Sequence, residues 1–403
     1  MKNLLLIFAL FLPAAAGAQL KLARNGATDY AIVPSAAATE AEQFAVEELA
    51  LFLQRITGAE FSIAAGAVEG KKRIHVGWTD FAAQNGIDCE KLGEEEWAIR
   101  TVGDDLILTG GRPRGTLYAV YEFLESRAGC RWVTPNTDVI PSDRDFAIPA
   151  LDTRGQPGFS WRETTLYQRH DEPKRFTKED YARFLVRNRY NGGSFWLDEP
   201  RFGFAVGFGR PGFSHTFHTY QKEWEDVKPE FFAMTAEGVR APRPTSALGH
   251  DFCLTNAELR QRVAQQLLEY IAEDRTEAAQ TGTPPPRLYA LSQNDTSSKY
   301  CRCPECSAIA EREGSYAGVN LAFVNDIADR VAEEFPDIVL LTEAYQFTKR
   351  APKTLRPREN VIVRLALLDR EYRADEIADV LRPVDAPTNR TARKVTEGWA
   401  AAV

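Results

Sequence analysis

The sequence predicts an α/β protein: a small N-terminal α/β sandwich-like domain followed by a (β/α)8-type barrel that is incomplete at the C-terminus. Three observations predict it. Strand-like and amphipathic helical stretches alternate through most of the chain. Residues 141–157 hold Pro141, Pro149 and Pro157 among few apolar residues, and read as a linker. The length, 403 residues, accommodates one small domain beside a barrel of roughly 250 residues. The expected segments are a signal peptide at 1–18, an accessory α/β domain at 19–150 and a partial barrel at 155–403.

The leader comes first. Lys2 precedes an apolar run over residues 4–12, and Ala16-Gly17-Ala18 forms an A-x-A cleavage site, so the mature chain is expected to begin at Gln19. The run is too short to span a bilayer. A secreted or periplasmic protein without stable membrane insertion follows. Next, residues 20–33 carry strand-like patches, and Thr39-Glu40-Ala41-Glu42 is a capping box. Val46, Leu49, Leu53 and Ile56 then recur at helical spacing, with Gly58 placed to end the helix. Short strands are expected at 73–77, 97–100 and 104–109, and a second helix buries Leu117, Val120, Tyr121 and Leu124.

Past the linker, strand candidates stand at 159–166, 193–197, 251–254, 288–292, 338–344 and 361–367. A second capping box, Thr255 to Glu258, opens a helix through Leu259, Val263, Leu267 and Ile271; another carries Val319, Phe323, Ile327 and Val331. Parallel βα alternation of this kind favours a barrel. Residues 198–250 read as a long glycine-rich loop, so only six strands are counted. Residues 391–403 read as the opening helix of a further unit, and about two βα units are expected to be missing by truncation.

Lys+Arg 49 against Asp+Glu 57 gives a net charge of -8, which excludes a general basic surface for nucleic acid or acidic lipid. No P-loop, dinucleotide or H-E-x-x-H motif is present. Six cysteines, Cys89, Cys130, Cys253, Cys301, Cys303 and Cys306, are too few for a disulfide-built scaffold. Cys301-x-Cys303-x-x-Cys306 places three thiols in one short loop. Zinc would need a fourth ligand, and no His or Cys follows nearby. Disulfides are the alternative; if all six cysteines pair, at least one of the three must reach Cys89, Cys130 or Cys253. Either reading is structural, and no cofactor is needed beyond such a zinc.

Several segments resemble the exported bacterial proteins of domain-of-unknown-function family 4838, related to glycoside hydrolase family 163. The resemblance is carried by Gly110-Gly111-Arg112-Pro113-Arg114-Gly115-Thr116-Leu117-Tyr118-Ala119-Val120-Tyr121, Gly129-Cys130-Arg131-Trp132 and Cys253-Leu254-Thr255-Asn256. Ser292-Gln293-Asn294-Asp295 with the Cys loop behind it, Ala344-Tyr345-Gln346 and Asn360-Val361-Ile362-Val363-Arg364-Leu365 complete it. It implies an N-terminal domain like that of family 20 and 67 glycosidases, a barrel, and a hydrolase acting on β-linked N-acetylglucosamine in glycans by substrate-assisted retention. It also implies a further glutamate-bearing segment beyond residue 403, so the fragment itself is expected to lack part of its catalytic set. A glycan-binding barrel without chemistry and an α-glucuronidase-like enzyme are the alternatives.

Sugar cleavage needs a proton donor and a second group for the oxocarbenium-like centre, placed where barrel strands end. Carboxylates near such ends are Glu163, Asp198, Glu199, Asp295, Glu343 and Asp369. Asp295 is the first candidate and Glu343 its partner. In substrate-assisted hexosaminidases an Asp-Glu pair holds the acetamido group and supplies the acid; here Asn294 would hold it and Asp295 act as acid or polarising carboxylate. The plainer readings are an Asx turn at 294–295 and a solvated Glu343. His215, Arg162, Trp196 and Tyr345 are the expected sugar contacts, the last two as a stacking floor. Arg162 also reads as half of an ion pair with Glu163, and the aromatics as core.

Overall fold

The computed structural model describes residues 19–66, 69–164, 176–192, 197–367 and 385–403. The expected leader at 1–18, Trp196 and Asp369 lie outside the described residues. The chain forms two compact units, divided between Ala205 and Val206. Among the described residues no helix is long and apolar enough to cross a membrane.

The first unit is built on a six-stranded mixed sheet. Its strands are β2 (Tyr30–Pro34), β3 (Ser62–Ile63), β4 (Lys72–Val76), β5 (Trp97–Val102), β6 (Asp105–Gly110) and β10 (Asp152–Gly155), in the order β10-β5-β6-β4-β2-β3. β6, β4, β2 and β3 run parallel; β5 and β10 are antiparallel to their neighbours. Two short antiparallel pairs join it: β1 (Gln19–Lys21) with β9 (Ala147–Pro149), and β7 (Arg131–Thr134) with β8 (Thr137–Val139). Helix α1 (Glu40–Thr57) starts as expected, the Thr39 hydroxyl accepting from the Glu42 amide and the Glu42 carboxylate accepting from Thr39 N–H. It ends at Gly58 in the left-handed region. Phe44, Leu49, Phe52, Leu53 and Ile56 of α1 pack with Leu117, Val120, Phe123 and Leu124 of α3 (Gly115–Ser126) in one core. A smaller cluster around Ala82 of α2 (Asp80–Gln84), Ile87, Cys89 and Ile107 forms a second.

The segment 110–115 is a close backbone crossing. A Cβ on Gly115 would lie 2.3 Å from the Glu96 carbonyl oxygen, and one on Gly110 would lie 2.2 Å from the Gly115 carbonyl carbon. Glycine is required there by contact, and the arginines between serve ion pairs: Arg112 with Glu42 at 2.9 Å, Arg114 with Glu95 at 2.8 Å. Helix α4 (Lys178–Arg187), which the hydropathy pattern did not mark, packs Tyr181, Ala182, Leu185 and Val186 into the same core.

In the second unit β11 (Leu288–Ala290), β12 (Val339–Ala344) and β13 (Val361–Leu365) form a parallel sheet in that order, and a bridge between Phe208 and Leu288 extends it in the same sense. Its helices are α5 (Thr216–Glu223), α6 (Ala257–Thr281), α7 (Pro304–Glu313), α8 (Ala317–Glu334) and α9 (Arg390–Ala400). The core joins Leu259, Val263 and Leu267 of α6 to Val319, Phe323 and Ile327 of α8 and Leu340 of β12.

Three of the six expected strands are therefore present, and an eight-stranded closure is not seen among the described residues. Residues 251–254 make only an isolated antiparallel bridge, Phe252 to Phe232. Phe252 packs instead among Phe217, Trp224 and Phe232, so an aromatic cluster takes the apolar residues a strand would have used. Residues 159–164 form no strand; Arg162 N–H donates to Asn191 Oδ1, and its carbonyl accepts from Asn191 and Gly192 N–H. Of 193–197 only Leu197 is described. The expected loop 198–250 contains α5, whose Phe217 and Tyr220 face the core at helical spacing. The cap of α6 is Asn256, one residue past the expected Thr255: its side chain accepts from Leu259 N–H at 2.9 Å.

Candidate active site

The residues following β11 and β12 converge at the C-terminal ends of the parallel strands. Leu291 N–H still bonds the Leu341 carbonyl, and past that point the chain from Ser292 to Asp295 leaves the sheet. Thr216, at the start of α5, stitches this exit: its hydroxyl donates to the Ala290 carbonyl at 2.9 Å and accepts from Ser292 N–H at 2.9 Å. Gln293 is buried, with its amide nitrogen on the Tyr345 carbonyl at 2.9 Å and its oxygen accepting from the Thr348 hydroxyl at 2.5 Å. The turn after β11 is thereby tied to the turn after β12.

Three expected site residues meet on this frame. The Tyr345 hydroxyl donates to Asp295 Oδ1 at 2.9 Å. His215 Nδ1 lies 2.9 Å from the Gln293 carbonyl, and its ring centroid is 6.2 Å from that of Tyr345. Gln346 adds a side-chain N–H to the Tyr345 oxygen at 3.0 Å. Asp295, His215 and Tyr345 are all half-buried, so each has a face toward solvent. His215 and Gln346 hold φ of 52° and 53°, in the left-handed region that residues other than glycine rarely adopt. Such strain collects at binding and catalytic sites. The first of these elements, the Tyr345 hydroxyl on Asp295, fixes the carboxylate's orientation and leaves it capacity to accept further hydrogen bonds.

Asn294 sits otherwise than expected. Its side chain is fully buried, donating to Gln221 Oε1 and the His250 carbonyl, both at 3.1 Å, while Oδ1 has no partner among the described residues. Its backbone N–H donates to Asp251 Oδ1 at 2.8 Å. Asp251 is 3% exposed, and desolvation pushes its carboxyl up to about 8 against the pull of the Asn294 amide. The sequence offered no mark of Asp251 beyond its place before an apolar stretch.

Glu343 is also buried. It stands opposite Arg364 in the β12–β13 register and forms an ion pair with it; the Arg364 guanidinium lies 5.1 Å from the Phe213 ring centroid. Arg162 belongs to the first unit, where all three guanidinium nitrogens are engaged: with the Arg189 and Phe159 carbonyls, Glu95 and the Tyr118 hydroxyl. Of the other carboxylates weighed, Glu163, Asp198 and Glu199 belong to the first unit as well, Glu199 paired with Arg201 at 2.8 Å.

The cysteine loop gains the member that sequence spacing lacked. Cys253, Cys301, Cys303 and Cys306 are all buried, and their sulfurs lie within 4.8 Å of one another. The signal was present in Cys253-Leu254-Thr255-Asn256, but nothing in the spacing placed it against residues some fifty positions on. Cys89 and Cys130 are separately buried in the first unit; the Cys89 sulfur lies 3.3 Å from the Thr109 hydroxyl.

Comparison with known proteins gives two family matches. A model described as domain of unknown function DUF4838 matches residues 132–403, and one described as glycosyl hydrolase family 67 N-terminus matches residues 20–123. No curated protein matches the chain. Among solved structures it is similar to the family 20 β-N-acetylhexosaminidase of Streptomyces coelicolor A3(2), with 14% identity, TM-score 0.38, and coverage of 89% of this chain and 68% of that one. A family 115 4-O-methyl-α-glucuronidase with specificity for decorated arabinogalactans gives 14% identity and TM-score 0.45, with 86% of this chain and 45% of that one covered. A β-N-acetylhexosaminidase from Bacteroides fragilis NCTC 9343 gives 12%, 0.38, 86% and 67%.

Proposed function

The chain belongs to the DUF4838 family, and from that membership we propose that it works as an exported glycoside hydrolase on glycans containing β-linked N-acetylglucosamine. The match of residues 20–123 to a glycosyl hydrolase N-terminus supports the reaction class. One observation carries the site: Asp295, beyond the end of a parallel strand, is held by the Tyr345 hydroxyl at 2.9 Å beside the His215 ring. Ligands of parallel α/β sheets lie at this end of the strands. The parallel run of Phe208, β11, β12 and β13 supports extending the second unit to a barrel.

The proposed chemistry follows from those positions. Asp295 gives its proton to the leaving glycosidic oxygen as the bond to the anomeric carbon breaks. The carbonyl oxygen of the substrate's own 2-acetamido group attacks that carbon and forms a cyclic oxazolinium ion; water, giving its proton to Asp295, then opens the ion at the same carbon, and the two inversions give retention. Tyr345 orients Asp295, and His215 and Gln346 take sugar hydroxyls. Glu343 is the second carboxylate. Its pairing with Arg364 suits it to stabilising positive charge better than to donating a proton. Asn294 shapes the turn.

The test is incubation of the full-length protein with high-mannose and complex N-glycoproteins, followed by mass analysis of both products. Release of the glycan with one N-acetylglucosamine left on the protein supports an endo-acting enzyme. Binding without release supports a glycan-binding protein without the chemistry. Glucuronate released from xylan fragments, with N-glycans untouched, would turn the assignment to an α-glucuronidase.

A further inference from the structure

We propose that Cys253, Cys301, Cys303 and Cys306 are the four thiolate ligands of a closed structural zinc site, with Cys253 as the ligand supplied from outside the cysteine loop.

Zn–S bonds of about 2.3 Å put the sulfurs of a tetrahedral site about 3.8 Å apart. Cys253 and Cys303 Sγ are 3.6 Å apart, and all four sulfurs fall within 4.8 Å of one another. A disulfide needs about 2.05 Å and would draw the atoms into pairs; here they form one mutually close set.

Hydrogen-bond donors surround the sulfurs. Cys301 Sγ accepts from Met234 N–H at 3.3 Å, and Arg240 Nη1 stands 3.8 Å from it. Cys303 is the N-cap of α7, its sulfur accepting from Cys306 N–H at 3.5 Å. Two of the four sulfurs thus sit at the positive end of a helix, where negative charge is favoured. The Thr255 hydroxyl lies 3.2 Å from Cys306 Sγ. Donors around the sulfurs are the outer shell that orients metal ligands, and they offset the negative charge of a tetrathiolate. Four sulfur ligands so close together suit zinc, and four protein ligands leave no open position for catalysis.

The site would join two segments the backbone already runs together. Asp251 N–H bonds the Lys299 carbonyl, Asn294 N–H bonds Asp251, and Asp295 N–H bonds the Ala247 carbonyl. The ion closes the far end of this ladder, four residues or fewer beyond Asp251 and Lys299 on the Cys253 and Cys301–Cys303 sides. It therefore fixes the segment that carries Asp295 without touching substrate.

The test uses the full chain purified without added metal. Elemental analysis is expected to find about one zinc per chain, and exchange with cobalt to give the visible bands and thiolate charge-transfer absorption of a tetrahedral tetrathiolate. Cys253→Ser is expected to lower zinc retention against a chelator about tenfold or more, while Cys89→Ser retains it like the parent. The cobalt spectrum of the unsubstituted protein decides the matter even if Cys253→Ser does not fold. Two disulfides among the four cysteines by mass spectrometry, iron in place of zinc, or zinc held equally well by Cys253→Ser would each overturn the proposal.

Discussion

Asp251 is a carboxyl group that burial keeps protonated near neutral pH, pushed from 3.8 to about 8 by desolvation. Between those values the folded chain holds a proton that the unfolded chain has released, so this group's contribution to stability falls as pH rises. The slope is about 1.4 kcal/mol per pH unit at most. Asp251→Asn keeps an acceptor for the Asn294 amide but has no proton to lose. Urea unfolding of both proteins at about pH 5 and about pH 8 should show the difference between them shifting toward the variant at the higher pH. An equal difference at both would contradict a buried, protonated Asp251. The neighbouring residues show what a sequence reveals at this scale. Asp295 and Tyr345 stood out by their place near strand ends and His215 by its place in the long loop, and the structure brings the three together. The burial of Asn294 was not legible, because its partners, Gln221 and His250, lie 73 and 44 residues away. Cys253 escaped the zinc count for the same reason.

Among the elements, α1 holds the least expected energetic feature. Its Glu48 is buried, accepting from Arg187 at 2.7 and 3.0 Å, from Arg183 at 2.9 Å and from the Tyr121 hydroxyl at 3.2 Å. Removing one partner of a buried ion pair leaves the others uncompensated and costs about 3 kcal/mol or more. Glu48→Ala should therefore lower the first unit's unfolding midpoint in urea, whereas Glu179→Ala, at a more exposed pair with Arg201, should change it far less. Similar midpoints for the two variants would contradict this account. Helix α1 and strands β4, β5 and β6 could be read from the sequence because caps and apolar period agree there. α4 and α5 could not: their apolar residues sit among charged or glycine-rich neighbours, and tertiary burial selects the helix. The strand expected at 251–254 failed in the opposite way, its apolar residues being claimed by an aromatic cluster.

At the scale of the molecule, the chain divides between Ala205 and Val206, past the proline-rich stretch that the sequence marks as a linker. Helix α4 explains the offset, since its buried face completes the first unit's core. The leader reading makes a separate prediction: protein recovered from the periplasm or medium should begin at Gln19, and a chain found there beginning at Met1 would contradict cleavage after Ala18. Everything proposed for the site rests on Asp295 carrying out glycoside chemistry. The most direct test is the turnover of an N-glycoprotein by the full-length protein and by Asp295→Asn, with glycan affinity measured alongside. The variant is expected to bind glycan like the parent and to lose about 10²–10⁴-fold in kcat. Unchanged turnover in Asp295→Asn would contradict it.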